Sequence, residues 1–219
     1  MEMHFASIWE QISDLIPEEP VLICENNIIN WKEFDNRSAK LASFLSSKSL
    51  KTDSKVGLYL HNSNEYMEAQ FSAFKIEGVP INVNYRYVEE ELIYLLDNSD
   101  AEAVFFQSCY SERISKIAEK LPKIKAFIQV GGNEILAIEN CYSFEEIIDN
   151  NKPMERIVRD EDNIYMLYTG GTTGMPKGVM YKHRLFISSL LKAAASMVFD
   201  VPDDPEKIPE VILSLAKTE

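Results

Sequence analysis

The run YTGGTTGMPKG, Tyr168 to Gly178, concentrates the residue types that can do chemistry in this chain. Gly170, Gly171 and Gly174 can take positive φ and present backbone N–H groups with no Cβ in the way, the requirement for a backbone nest around a polyphosphate. Thr169, Thr172 and Thr173 add hydroxyl donors, and Lys177 adds a full positive charge. Hydrogen bonds to a charged partner contribute about 1.5 to 3 kcal/mol each, so several converging here can hold a triphosphate tail. Pro176 biases Met175 away from the α region and limits how far the loop collapses when empty. The plainer alternative is a flexible strand-to-strand connection, since Gly and Thr are ordinary loop residues. The lysine beside the threonines favours phosphate. This is not a Walker A loop: Lys177 lies between Pro176 and Gly178, and no Ser or Thr follows to hold magnesium. A GxGxxG dinucleotide fingerprint is also absent.

The surrounding charge agrees with an anionic ligand. Between Asn163 and Phe199 there is no Asp or Glu, whereas Lys177, Lys182, Arg184 and Lys192 bring four positive charges. The whole chain of 219 residues carries −13, with 35 acidic against 22 basic residues, which leaves −17 outside that segment. Such an excess repels nucleic acid and anionic lipid, so neither is expected as a partner. With 46% apolar residues the chain can bury a sizeable core. Cys24, Cys109 and Cys141 are widely spaced and form no CxxC or Cys/His cluster, so neither a disulfide frame nor a metal site is expected. The N-terminus carries Glu2, Glu10 and Asp14 where a signal peptide needs positive charge, and no run approaches the ~18 to 20 apolar residues of a membrane span. The expected compartment is a reducing cytoplasm.

To position the glycine run the chain needs rigid elements, and its pattern is that of an α/β fold. Val21–Cys24 and Ile28–Ile29 flank a turn and predict a small hairpin. Asn30, with Glu33 three residues on, starts a helix whose inner face is Trp31, Phe34, Leu41, Ala42 and Leu45. Strands are predicted at 56–60, 79–83, 103–106 and 126–130. Helices between them face inward through Met67, Phe71 and Phe74; through Val88, Leu92, Leu95 and Leu96; and through Ile114, Ile117, Ala118 and Leu121. Residues 133–162 read as a helix and a polar connection. IYMLY, Ile164 to Tyr168, runs into the glycines, GVMY returns as a strand, and Ile187, Leu191, Ala194 and Val198 mark a helix.

Other polar residues have bland readings. His183 is a polar residue at a helix start, His61 belongs to a turn, and His4 to a mobile terminus. Arg86 is expected to pair with an acid on a neighbouring helix. Glu89 to Glu91 suit a first helical turn, where negative charge meets the helix dipole.

YTGGTTGMPKGVMYKH resembles the phosphate-binding signature of the adenylate-forming superfamily, which includes acyl-CoA synthetases. The resemblance extends upstream through INWKEFDNRSAKLASFL, KVGLYLHNSNEYMEAQFSAFKIEGVPINVNYRYVEEELIYLL and AEAVFF, and so covers nearly the whole chain. The Gly-Gly form of the loop and the NVNYRY stretch are most similar to synthetases acting on fatty or related organic acids. The family often has a histidine at the position of His183. The resemblance implies layered sheets and helices like the N-terminal domain of those enzymes. It also implies a reaction in which a carboxylate attacks the α-phosphorus of ATP, after which the CoA thiol displaces AMP. Carried over, Thr169, Gly170, Gly171, Thr172, Thr173 and Gly174 form the phosphate cradle and Lys177 the cation at its rim. ATP, Mg2+ and CoA are the implied cofactors and co-substrate, and a small-molecule carboxylate is the implied partner.

Members of that family carry further segments for adenine, ribose and magnesium, a hinge, and a small C-terminal domain with a catalytic lysine. The sequence from 1 to 219 holds none of these, so the expectation is an incomplete N-terminal domain, inactive by itself, that self-associates through exposed apolar edges. VILSLA, from Val211, is expected as a strand. No residue here is assigned a catalytic role. The alternative is a non-catalytic nucleotide- or partner-binding module complemented by a second chain.

Overall fold

A computed structural model describes residues 2–169 and 175–197, together with Lys207, Pro209 and Val211. The chain opens with helix α1 (Phe5–Leu15), a hairpin of β1 (Pro20–Cys24) and β2 (Asn27–Asn30), and helix α2 (Trp31–Ser47). The Asn30 side chain accepts the Glu33 amide at 2.9 Å and caps α2, as its position predicts. Next come β3 (Lys55–Tyr59), α3 (Asn64–Lys75), β4 (Val79–Asn82), α4 (Glu89–Asn98) and β5 (Ala101–Gln107). Then follow α5 (Ser111–Ile117), β6 (Ala126–Val130), β7 (Cys141–Ser143) and α6 (Phe144–Asn150).

Five parallel strands form the central sheet in the order β4-β3-β5-β6-β7. The strands alternate between two apolar faces, as strands buried on both sides must. Val56, Leu58, Ala103, Phe105, Ala126 and Ile128 meet α2, α3 and α6 on one face. Tyr59, Val104, Phe106 and Phe127 meet α4 and α5 on the other. α4 packs tightly at Gly57, since a Cβ there would lie 2.8 Å from Leu96 Cδ2. A third, aromatic cluster joins α1, α2 and α3 through Phe34, Phe71 and Phe74, with Phe5, Trp9 and Trp31 at its edge.

Two sequence expectations change here. Val88 is exposed rather than inward: it is the residue before α4, and its amide donates to Glu91 Oε2 at 3.0 Å. The 133–162 stretch holds the short strand β7 as well as α6. The VILSLA run, apart from Val211, lies outside the described residues.

The irregular chain after α6 is fixed by charge. Arg159 is buried and donates to both Glu10 oxygens at 2.7 and 2.9 Å, and to the Lys75 carbonyl at 3.3 Å. Lys75 in turn meets Glu10 at 2.8 Å and Asp35 at 2.5 Å, while Arg156 bridges Asp14 and Asp35. These six side chains, three of each sign, bind the connection to α1, α2 and α3. Beyond it stand β8 (Ile164–Thr169), β9 (Lys177–Lys182) and α7 (His183–Met197). Among the described residues no helix is long and apolar enough to cross a membrane.

Candidate functional site

β8 and β9 form an antiparallel hairpin in continuous register from Ile164↔Lys182 to Thr169↔Lys177. The glycine segment therefore springs from two paired strands. Of the residues assigned to the cradle, Thr169 and Lys177 are described, facing each other across the last ladder rung. Gly170, Gly171, Thr172, Thr173 and Gly174 lie outside the described residues.

Both stems are tied to α4. Tyr168 donates its hydroxyl to Asn98 Oδ1 at 3.0 Å, and Tyr94 donates to the Pro176 carbonyl at 3.3 Å. Burial, with Tyr94 and Asp100 close by, pushes the Tyr168 hydroxyl above its ordinary range, so it stays a donor at neutral pH. Gly178 is opposite Tyr168, and a Cβ there would fall 2.9 Å from Met166 Sδ and 3.2 Å from the Tyr168 ring. The glycine after Lys177 thus lets an aromatic ring lie on the β9 backbone. Tyr94 and Asn98 carry no signal in the sequence beyond membership of a helix, because what they hold is 82 and 70 residues further along the chain.

The local positive charge is partly spent. Asp162, just before the acid-free stretch, binds Lys182 at 2.7 Å and also pairs with Arg184, and these two bonds hold its carboxyl below the usual carboxylate range. Among the described residues Lys177 has no carboxylate within ion-pairing distance, and it is exposed at the rim of the loop. That leaves it available to an anion arriving from solvent.

The histidines are distributed differently from their sequence readings. His4 does not lie on a mobile terminus: it is fully buried, and its Nδ1 accepts the Ala6 amide at 3.2 Å to cap α1. His183 is the first residue of α7, as expected, but it too is fully buried and stacks on His4 with ring centroids 4.0 Å apart. His61 follows β3 and is hydrogen-bonded to the Tyr110 hydroxyl. It lines a cavity of about 540 Å³ with Glu89, Cys109, Tyr110, Arg113 and Lys116. This cavity stands at the carboxyl ends of β3 and β5, where the strand order reverses, the usual place for a ligand in an open parallel sheet. Glu89 opens α4 and Asn98 closes it, so cavity and loop stems are separated by about 13 Å along the helix axis. Arg86 makes no ion pair among the described residues and instead lies over the Tyr85 ring at 5.6 Å. Glu89 to Glu91 form the first turn of α4, as predicted. Among the described residues no three His, Cys, Asp or Glu side chains come together as metal ligands.

The sequence profile of the AMP-binding enzyme family matches residues 10–215. The chain belongs to this family. A 3-oxocholest-4-en-26-oate–CoA ligase of Rhodococcus rhodochrous is 36% identical over 187 residues, covering 84% of this chain and 34% of that protein. Among solved structures, an anthranilate CoA ligase in complex with anthranoyl-AMP superposes with a TM-score of 0.81 at 19% identity, over 91% of this chain and 38% of its own. A long-chain-fatty-acid-CoA ligase from Archaeoglobus fulgidus superposes with a TM-score of 0.76 at 26% identity, over 90% and 40%. The chain thus spans about a third of the length of the curated relatives that it matches.

Proposed function

We propose that this chain supplies the phosphate-holding part of an AMP-forming acyl-CoA ligase, and that residues 1–219 are a portion of its N-terminal domain. In the full reaction a carboxylate oxygen attacks the α-phosphorus of ATP and the bond to the bridging oxygen breaks, so that pyrophosphate leaves and an acyl-adenylate remains. The CoA thiol then attacks the acyl carbon, and AMP departs as the thioester forms. Thr169 through Gly174 hold the β- and γ-phosphates by backbone and hydroxyl donors, and Lys177 offsets the charge that develops on departing pyrophosphate. A fatty or related organic acid is the substrate class. Mg2+ would neutralise phosphate oxygens, but the described residues offer no ligand set for it, and no step is assigned to it.

The observation that carries this reading is the hairpin: its register brings Thr169 opposite Lys177, which has no ion-pair partner among the described residues, on either side of a glycine-rich segment in an AMP-binding family member. Calorimetric titration tests it. The 219-residue chain should bind pyrophosphate and ATP weakly, without distinguishing ATP from GTP, and Lys177→Ala should lower that affinity at least tenfold. By itself the chain should release no pyrophosphate with a panel of fatty acids. Unchanged affinity in Lys177→Ala would overturn the assignment of the loop, and thioester formation by this chain would overturn the division of labour.

A further inference from the structure

The His4 and His183 rings are stacked within 15° of parallel and have no exposed surface. Each Nδ1 is committed as an acceptor, His4 to the Ala6 amide and His183 to the Phe5 amide, both at 3.2 Å. The proton of each neutral ring must therefore sit on Nε2, and both Nε2 atoms are buried without a hydrogen-bond partner among the described residues. The rings are caged by Phe5, Phe74 and Tyr165. His183 follows directly on β9, and its amide donates to the Asn163 carbonyl at 2.9 Å, so it stands at the closed base of the hairpin that carries the glycine segment.

We propose that the neutral His4–His183 stack is a positioning element that seats the base of this hairpin on α1, and that proton uptake by the two rings unseats it. A proton on Nδ1 turns an acceptor into a donor facing a backbone N–H, which removes the cap of α1 and the tie between Phe5 and His183. It also places a charge in an aromatic cage, against a second buried ring. The Ile164 backbone favours a protonated His183 but is outweighed by burial, and the charged groups around the pair do not offset this. Arg159 on the connection adds positive charge, already matched by Glu10 of α1, and Lys75 of α3 is held by Glu10 and Asp35. Glu161 accepts the Met3 amide, Asp162 is taken by Lys182 and Arg184, and Tyr165 of β8 brings no charge at neutral pH.

Burial, then the neighbouring His183 and Arg159, lowers His4 to about 2, and burial lowers His183 to about 4. Both values lie below the ordinary 6.5, so below pH 6.5 the unseated state binds more protons than the seated one. Seating is complete above pH 6.5 and weakens as the pH falls towards 4, by up to ~100-fold per pH unit when both rings take a proton.

The test uses the full 219-residue chain carrying Trp31→Phe, so that Trp9 of α1, packed on Phe5 and Phe74, is the sole tryptophan. Trp9 emission and far-ultraviolet circular dichroism are followed from pH 8 to 4, with and without His4→Asn and His183→Asn. Asparagine keeps an acceptor oxygen near the Nδ1 position and caps helices well, but does not titrate. In the parent chain Trp9 should move to a wetter environment between pH 6.5 and 5 while helical signal persists, and the double variant should stay flat over that window. Coincident pH curves would overturn the proposal. So would ring resonances of either histidine titrating near 6.5 in the folded parent chain, a measurement that holds even where the double variant fails to fold.

Discussion

Arg159→Met removes one charge from a linked set of six, of which Arg159, Glu10 and Lys75 are buried. Only 1% of the Arg159 side chain and 6% of the Glu10 side chain are exposed, so solvent replaces little of what is lost. Glu10 gives up a two-oxygen contact at 2.7 and 2.9 Å and keeps Lys75 at 2.8 Å, which Asp35 also claims. The cluster is left with three acids against two bases. Breaking a buried pair from one side costs about 3 to 5 kcal/mol. That is a large share of the roughly 5 to 15 kcal/mol that a domain possesses. Taking Glu10 away as well, in Glu10→Leu with Arg159→Met, restores the balance, because Lys75 retains Asp35 and Arg156 retains Asp14. The double variant should then recover at least about 2 kcal/mol over Arg159→Met. Urea denaturation followed by circular dichroism gives both numbers from the shift in midpoint at constant slope. A single variant within about 1 kcal/mol of the parent, or a double variant no more stable than the single one, would refute the charge-balance reasoning.

Tyr94→Phe deletes the hydroxyl held by the Pro176 carbonyl, one neutral hydrogen bond worth about 1 kcal/mol. It should weaken pyrophosphate binding about fivefold with little change in global stability, as calorimetry and denaturation together will report. Val179, Met180, Tyr181, Leu185 and Leu190 are exposed on β9 and α7. The chain should therefore bind a hydrophobic dye and show concentration-dependent light scattering, and Met180→Lys with Leu185→Lys should reduce both signals.

The central sheet was readable because its strands are buried on both faces and appear as apolar runs, such as AVFF and AFIQV, bounded by polar turns. β7 escaped because CYS is three half-buried residues with no apolar run, held by pairing with Phe127–Gln129. α1 went unassigned for a different reason. Its buried positions are Ala6, Glu10 and Ser13, so small and polar residues mark the face that packs most deeply. The glycine segment declared its own chemistry through residue type, and its strand flanks followed from IYMLY and GVMY. What holds those flanks did not follow, since Tyr94, Asn98 and His4 act on residues 70 or more positions away. Local pattern reports which face a residue turns inward; it does not report who waits there.

The tie between Glu10 and Arg159 also sets an order in time. The two residues are 149 positions apart, whereas every strand of the central sheet lies between Lys55 and Ser143. A ribosome adding about 5 to 20 residues per second finishes Arg159 roughly 7 to 30 s after Glu10. During that interval the acid on α1 lacks Arg159, and all five strands of the sheet are made before it ends. The N-terminal helix is thus among the first parts synthesised and among the last secured, closed over a finished sheet by the segment that leads into the glycine hairpin.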